Sequence, residues 1–328
     1  MRVAIIGFGA VGRGVAQVLV GSDHDFTLTA VADSRSACID PDGLNPAEVL
    51  RRKETTGLCG TEGLGIPDIL SMGEFDILIE VSPTNANGGE PALSTIRSVL
   101  GMGKHVVTSN KGPIACAFTE LKALADQKGV ILGYEATVAG AVPVMNGLRH
   151  GLAGNRIRSL HGILNGTCNY ILTRMRDEGL TYHQALQEAR DLGYAEADPT
   201  YDVKGIDTAI KLVIMANSLL GMNIALSDVE ITGIDQITVE ALNLAESEGS
   251  TIRLIGEIIP EKNLVRVSPR VISLDHPLVV DGTLNAISVC CDLAGPVTFI
   301  GRGAGSLPTA SAILADLNSI RDCHGRGT

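Results

Sequence analysis

The apolar positions along the chain follow two patterns in turn, and their order predicts the architecture. Residues 2–7 (RVAIIG) are a short, continuously apolar, β-branched run of the kind buried in a parallel sheet. Runs of the same type recur at Thr27–Asp33, Asp76–Val81, Lys104–Thr108 and Val130–Glu135. Between them, apolar residues at helical spacing (Val15, Val18 and Leu19, then Leu93–Leu100 and Phe118–Gln127) predict helices. This alternation predicts a doubly wound α/β unit, with the Gly- and Pro-bearing residues 38–65 as an insertion.

From Met145 the pattern becomes α+β. A helix is expected over Pro143–His150, a strand over Ile157–Leu164, then helices from the Asn165-Gly166-Thr167 turn to Arg176 and over Tyr182–Asp191. Val229–Ile231, Ala241–Glu248, Thr251–Ile259, Leu264–Val271, Asn285–Cys291 and Val297–Ile300 read as a helix and strands returning to one open, mostly antiparallel sheet with helices on one face. Its other face must be covered, which makes it the expected surface of a homodimer. A helix over Thr309–Leu317 follows a Gly-rich loop, so the chain is expected to rejoin its first unit. The expected domains are 1–134 with 301–320, and 135–300. Arg321–Thr328 is expected to be disordered and leaves no room for a further domain.

Composition changes the picture mainly by exclusion. Of 328 residues 3 % are aromatic, with no Trp, and the formal net charge is −11. Stacking platforms for bases are therefore not expected, nor is a nucleic-acid partner. No run of 18 apolar residues and no leader appear, so neither a membrane segment nor a signal peptide is expected, and the chain reads as cytoplasmic. The 7 cysteines are scattered without a zinc-binding spacing and read as small buried hydrophobes.

The chemistry starts at Gly7-Phe8-Gly9-Ala10-Val11-Gly12, a G-x-G-x-x-G between a predicted strand and helix. Its glycines permit a tight turn and let a pyrophosphate approach N–H groups at the helix start. Asp33 ends the second strand and suits the ribose hydroxyls of NAD, while Arg35, Arg51, Arg52 or Lys53 could hold the 2′-phosphate of NADP, so both cofactors remain open. Ser82 and Thr84 follow the third strand, where the nicotinamide half would lie. Lys111 sits in Ser109-Asn110-Lys111-Gly112-Pro113, expected as a tight turn. Small residues after Glu135 (Ala136 to Pro143) could offer carbonyl oxygens to a hard cation, or could be a close-packed crossover. Gly303, in the loop before the last helix, is placed for phosphate or nicotinamide. His161, inside an alternating strand, reads as structural.

The richest stretch is Ala189–Lys211, ARDLGYAEADPTYDVKGIDTAIK. Pro199 predicts loop for the acidic cluster of Glu196, Asp198 and Asp202. A helix from Gly205 to Gly221 would put Asp207 and Lys211 on one face. Such a pair is usually a surface ion pair, but this helix is apolar almost all round, and charges rarely sit in buried helices without a task. A carboxylate, an ammonium and further carboxylates at one helix start can bind and protonate a small polar substrate.

This stretch, read as Ala-x3-Gly-Tyr-Ala-x-x-Asp-Pro-x-x-Asp-Val-x-Gly-x-Asp-x3-Lys, resembles the signature of homoserine dehydrogenases. Asn-Lys-Gly-Pro, Glu-Ala-Thr-Val, Asn-Gly-Thr and the Gly-rich end match the same family, so the likeness covers nearly the whole chain. It implies a short form without a regulatory domain, built from a Rossmann unit and a catalytic and dimerisation unit. The implied reaction is the reversible NAD(P)H-dependent reduction of aspartate 4-semialdehyde to L-homoserine, on the route to threonine, methionine and isoleucine. By resemblance Glu196 and Asp207 hold the substrate with Asp202 nearby, Lys211 is the first proton donor and Lys111 the second. Lys111 and Gly193 would also lie by the cofactor. A monovalent cation, Na⁺ or K⁺, would sit among Glu135 and the carbonyls of Val138, Gly140 and Val142. A Rossmann enzyme for another amino acid, such as an aspartate dehydrogenase, and a non-catalytic NAD(P)-binding sensor are the alternatives.

Overall fold

The computed structural model describes residues 1–20 and 25–325. The chain divides into two units, Met1–Ala141 with Ala304–Thr328, and Val142–Gly303.

The first unit is built on a seven-stranded sheet of β1 (Arg2–Ile6), β2 (Thr27–Ala32), β3 (Ser36–Ile39), β4 (Thr61–Glu62), β5 (Ile77–Glu80), β6 (His105–Thr108) and β7 (Leu132–Gly133), in the order β4-β3-β2-β1-β5-β6-β7. β2, β1, β5, β6 and β7 pair in parallel, as their continuous apolar runs require. The strand order reverses beside β1, between β2 and β5, and that switch point is where such sheets open a ligand crevice at their carboxyl ends. Helices α1 (Ala10–Val20), α2 (Pro46–Thr56), α3 (Ile66–Met72), α4 (Ala92–Gly101) and α5 (Lys111–Lys128) connect the strands.

Several expectations need correction here. Residues 38–65 fall inside this unit and add to its sheet: β3 and β4 extend it in antiparallel sense, with α2 capped by Asn45 between them. The fifth parallel strand is only Leu132–Gly133, because the chain turns into a 3₁₀ turn at Glu135–Thr137. Lys111 opens a helix rather than a tight turn. Asn110 caps it by accepting the Gly112 N–H, and Pro113 is tolerated because first-turn N–H groups need no helical acceptor.

The second unit carries a six-stranded sheet of β8 (Ile157–Ile163), β9 (Glu230–Ile231), β10 (Ser250–Ile259), β11 (Leu264–Ser273), β12 (Leu284–Cys291) and β13 (Pro296–Arg302), in the order β13-β12-β8-β10-β11-β9. Every pairing is antiparallel except β9 with β11. Its helices are α6 (Val144–Asn146), α7 (Gly166–Glu178), α8 (Tyr182–Asp191), α9 (Thr200–Val203), α10 (Ile206–Leu220) and α11 (Val239–Ser247). The helix expected over 143–150 is α6 running into a π-helical turn at Gly147–Gly151. Pro199 does not hold the whole acidic cluster in loop. It caps the single turn α9, so Asp202 is helical.

α10 is the buried centre of this unit, with every residue from Asp207 to Ala216 buried. Gly256 of β10 lets it approach, since a Cβ there would lie 3.0 Å from Leu212 and Thr208 side-chain atoms. His161 of β8 is a cross-strand partner of Glu257, 3.2 Å away.

The final helix, α12 (Ser306–Gly325), belongs to the first unit and packs on α1 through Ser306, whose Oγ donates to the Ala10 carbonyl at 2.6 Å. It continues through residues 321–325, which were expected to be disordered; residues 326–328 lie outside the described chain. Among the described residues no helix is long and apolar enough to cross a membrane. The seven cysteines are all free, but only Cys59, Cys168 and Cys291 are buried, while Cys116, Cys290 and Cys323 are exposed and so are not core fillers.

Candidate functional site

The nucleotide turn follows from its glycines. Gly7 has φ +99°, and a Cβ on it would lie 2.5 Å from the backbone of Val81 and Ser82. A Cβ on Gly12 would lie 2.3 Å from the Gly7 carbonyl oxygen, whereas one on Gly9 would meet nothing within 4 Å. Two glycines thus close the turn and the third leaves its backbone open. The N–H groups of Gly7 and Phe8 donate to the Ala32 carbonyl at 2.9 and 3.1 Å, and Phe8 is buried beneath. α1 then starts at Ala10 and Val11, and its first-turn N–H groups lack helical acceptors, as a phosphate site needs. The residues present fit a dinucleotide.

Asp33 lies just past the carboxyl end of β2. Its Oδ1 accepts the N–H groups of Arg35 and Ser36, both at 2.8 Å, and its Oδ2 takes the Lys53 ammonium at 2.7 Å. Burial raises the acid's pKa, but Lys53 and the two backbone donors outweigh it and hold the carboxyl far below its usual range. Arg35 is exposed and its guanidinium donates to the Gly57 carbonyl at 2.9 Å. Of the four basic candidates for a ribose phosphate, Lys53 is the one paired with Asp33.

At the ends of β5 and β6, Ser82 is half-buried, Thr84 is exposed, and Lys111 is half-buried on the first turn of α5. Asn110 donates to Ser82 Oγ and to the Pro83 carbonyl, both at 3.3 Å. The segment after β7 is buried from Glu135 to Gly140, with Ala139 (φ 58°) and Gly140 (φ 54°) both left-handed, and Val142 opens the second unit. Among the described residues no group of three or more His, Cys, Asp or Glu is placed to hold an ion. Any ion there would depend on carbonyl oxygens.

In the second unit, Lys211 Nζ donates to Asp207 Oδ2 at 2.7 Å and to the Leu164 carbonyl at 2.6 Å. Asp207 is 7 % and Lys211 8 % exposed, so this is no surface ion pair. Asn165 ties the acidic residues to it. Its amide donates to Asp202 Oδ1 at 2.6 Å and to Asp207 Oδ2 at 3.0 Å, while its carbonyl caps α7 by accepting the Cys168 N–H at 2.8 Å. Asn285 donates to the same Leu164 carbonyl at 3.1 Å. Gly303 packs on Asn285 so closely that a Cβ there would lie 2.1 Å from the amide nitrogen. Burial, with Asp202 and Asp207 close by, pushes the Cys168 thiol well up and keeps it inert.

The sequence-predicted residues are therefore only partly assembled. Asp202, Asp207 and Lys211 form one hydrogen-bonded group. Glu196 lies in the exposed bend after α8 and makes no hydrogen bond or ion pair among the described residues; Gly193, at φ +74°, is an exposed turn residue. Asn165 as the joint and Asn285 as a second support escaped the sequence reading. The Asn165 role had a readable signal, an Asn–Gly–Thr at a strand-to-helix junction, which is where a side-chain cap belongs.

Two family models match the chain, "Homoserine dehydrogenase, NAD binding domain" over residues 7–135 and "Homoserine dehydrogenase" over residues 143–317. The chain is 46 % identical to a homoserine dehydrogenase of Methanocaldococcus jannaschii, covering 98 % of each sequence. It is 38 % identical to an NAD(+)-dependent homoserine dehydrogenase of Pseudomonas canavaninivorans, covering 99 % of this chain and 97 % of that one. Its fold matches the crystal structure of a putative homoserine dehydrogenase from Archaeoglobus fulgidus with a TM-score of 0.91 at 46 % identity, over 98 % of this chain and 99 % of the other.

A glycine turn that fits a dinucleotide, inside a matched NAD binding domain, defines the class, an NAD(P)-dependent oxidoreductase. Within that class the likeness runs end to end. The chain belongs to the homoserine dehydrogenase family.

Proposed function

We propose that this chain catalyses the reversible reduction of L-aspartate 4-semialdehyde to L-homoserine with NAD(P)H. The observation that carries the reading is the buried ammonium of Lys211, held by Asp207 and the Leu164 carbonyl. When bound, the nicotinamide ring supplies the hydride or takes it back. The protein's part is electrostatic and acid–base. As the substrate's aldehyde oxygen gains negative charge, the Lys211 ammonium stabilises it and gives up a proton. Asp207 orients that ammonium and accepts a hydrogen bond from the reacting hydroxyl. Asp202, held through Asn165, and Glu196 bind the polar end of the substrate. Lys111 is the second candidate donor.

Gly7 to Gly12 would cradle the pyrophosphate and Asp33 the ribose hydroxyls, with Ser82 and Lys111 toward the nicotinamide. Gly193 and Gly303 are further proposed contacts. Asp33 at this position favours NAD, and Lys53 is the residue positioned to admit NADP. The turn from Glu135 to Val142 is the proposed seat of Na⁺ or K⁺, and the open face of the six-stranded sheet the proposed homodimer surface. Light scattering on the eluted protein that gave a monomer mass would remove the dimer.

The test is absorbance at the NAD(P)H band with purified protein and L-homoserine, run with NAD⁺ and with NADP⁺ at alkaline pH. Reduction with either supports the reaction. Binding of NADH without any turnover of homoserine would overturn it in favour of a sensor or of another amino acid.

A further inference from the structure

A buried acid in the nucleotide unit takes no part in the chemistry above. Glu80 closes β5 with 0 % exposure, between Ser82 on its own strand end and Thr108 and Asn110 at the end of β6. Thr108 and Asn110 are themselves 0 % and 1 % exposed.

The protons in this cluster can be counted. Glu80 Oε1 accepts the Ser82 N–H at 3.0 Å and also the Ser82 hydroxyl. Thr108 has a single hydroxyl proton. Its Oγ1 lies 2.8 Å from the Glu80 backbone carbonyl, which can only accept, so the proton belongs there. The same Oγ1 accepts the Asn110 N–H at 2.9 Å. Glu80 Oε2 stands 3.2 Å from Thr108 Oγ1, and Thr108 has no proton left to join them. A carboxylate would face a lone pair across that gap, in a place where an unpaired charge is costly. A carboxylic acid supplies the missing proton by donating from Oε2 to Oγ1.

The cluster also leads to the proposed cofactor and substrate residues. Asn110 holds Ser82 Oγ and the Pro83 carbonyl, and its own carbonyl caps α5 through the Gly112 N–H at 3.1 Å. Lys111 is the residue between them.

We infer that Glu80 is a neutral carboxylic acid and a positioning residue, tying the end of β5 to the first turn of α5 and so fixing Ser82 and Lys111. Burial raises its pKa above the usual carboxylate range, and the hydrogen bonds from Ser82 only partly offset that. The groups facing it are hydroxyls and amides. The inference rests on reading this unit as the nicotinamide half of a dehydrogenase.

The test uses the full chain with Glu80→Gln and Glu80→Ala. Glutamine reproduces the neutral acid, accepting from Ser82 and donating to Thr108, so NADH affinity, kcat and KM should stay within about twofold of the parent. Alanine leaves the buried donors and acceptors unpaired, so the Kd for NADH, read by fluorescence, should rise roughly tenfold. The infrared difference spectrum of the parent against Glu80→Gln should show the band of a protonated buried carboxyl, which the variant lacks. Equal losses in Glu80→Gln and Glu80→Ala, or no such band, would overturn the neutral acid. Unchanged NADH binding in a folded Glu80→Ala would overturn the positioning role, and should that variant not fold, Thr108→Val, which removes the hydroxyl that Glu80 holds, takes its place in the binding test. A parent enzyme inactive on homoserine would strike the proposed reaction alone, because the binding and infrared readouts do not depend on turnover.

Discussion

Lys211 Nζ lies 2.7 Å from Asp207 Oδ2, one helical turn apart, with each side chain only 10 % exposed. On a helix surface the same pair would contribute a few tenths of a kcal/mol. Buried, an ammonium without its carboxylate is destabilised by several kcal/mol, so the pair stands or falls together. The second acceptor, the Leu164 carbonyl at 2.6 Å, fixes the direction of the ammonium as well as its charge. A fixed, partly desolvated ammonium is suited to meet a developing alkoxide.

Lys211→Ala is therefore expected to lower kcat by roughly two to four powers of ten, the usual range for a lost general acid. Lys211→Arg keeps the charge but not the compact, readily deprotonated donor, and should not restore turnover. Steady-state kinetics in both directions check this. Near-normal turnover in the alanine variant would move the proton transfer to Lys111.

Asn165 does two jobs that one pair of substitutions separates. Its carbonyl caps α7 and its amide joins Asp202 to Asp207. Asn165→Ala loses both, and should destabilise the protein by about 1 kcal/mol while reducing kcat. Asn165→Asp keeps a capping oxygen but puts a third carboxylate against the other two. It should hold its cap yet lose turnover roughly tenfold or more, since charge-assisted hydrogen bonds at the site become repulsions. Thermal unfolding and kcat measured on both variants decide. A fully active Asn165→Asp would mean that the amide bridge does not matter to the reaction.

Both folds were legible in the sequence, for a physical reason. The parallel strands are buried on both sides and read as unbroken apolar runs, and α10 is apolar almost all round. The Asp207–Lys211 pair was legible too, because its spacing alone places both on one face. What escaped were features set by pairing across long sequence distances. β3 and β4 are short and mixed in character, so only their partners reveal them as strands. Asn165 meets Asp202 and Asp207 across 37 and 42 residues, a relation no local pattern carries. The start of α5 was misread because Gly-Pro usually marks a turn, yet Pro113 falls in the one helical turn that accepts it.

Asp33 and Lys53 are the proposed determinants of cofactor choice. The carboxylate suits two ribose hydroxyls and repels a 2′-phosphate, whereas the ammonium 2.7 Å away attracts one. Asp33→Ser should raise the ratio of NADP⁺ to NAD⁺ turnover, and Lys53→Ala should lower it. Each shift is expected to be about tenfold, the size of one partly exposed charge interaction of roughly 1 kcal/mol or a little more. Parallel kcat/KM values for the two cofactors are the measurement. If neither variant changes the ratio, the ribose end is read elsewhere, with Arg35 the next residue to replace.

Glu196 offers the cleanest separation of function from stability. It is exposed in the bend after α8 and makes no hydrogen bond or ion pair among the described residues, so nothing in the ligand-free protein depends on its charge. Glu196→Gln should therefore leave Tm unchanged to within about 0.5 kcal/mol of stability, as for other surface replacements. If its carboxylate binds the substrate's polar end, the same variant should raise KM for homoserine, by roughly tenfold for one lost charged hydrogen bond, with a smaller effect on kcat. An unchanged KM would assign the substrate's polar end to Asp202 and Asp207 alone, which are already held in place by Asn165.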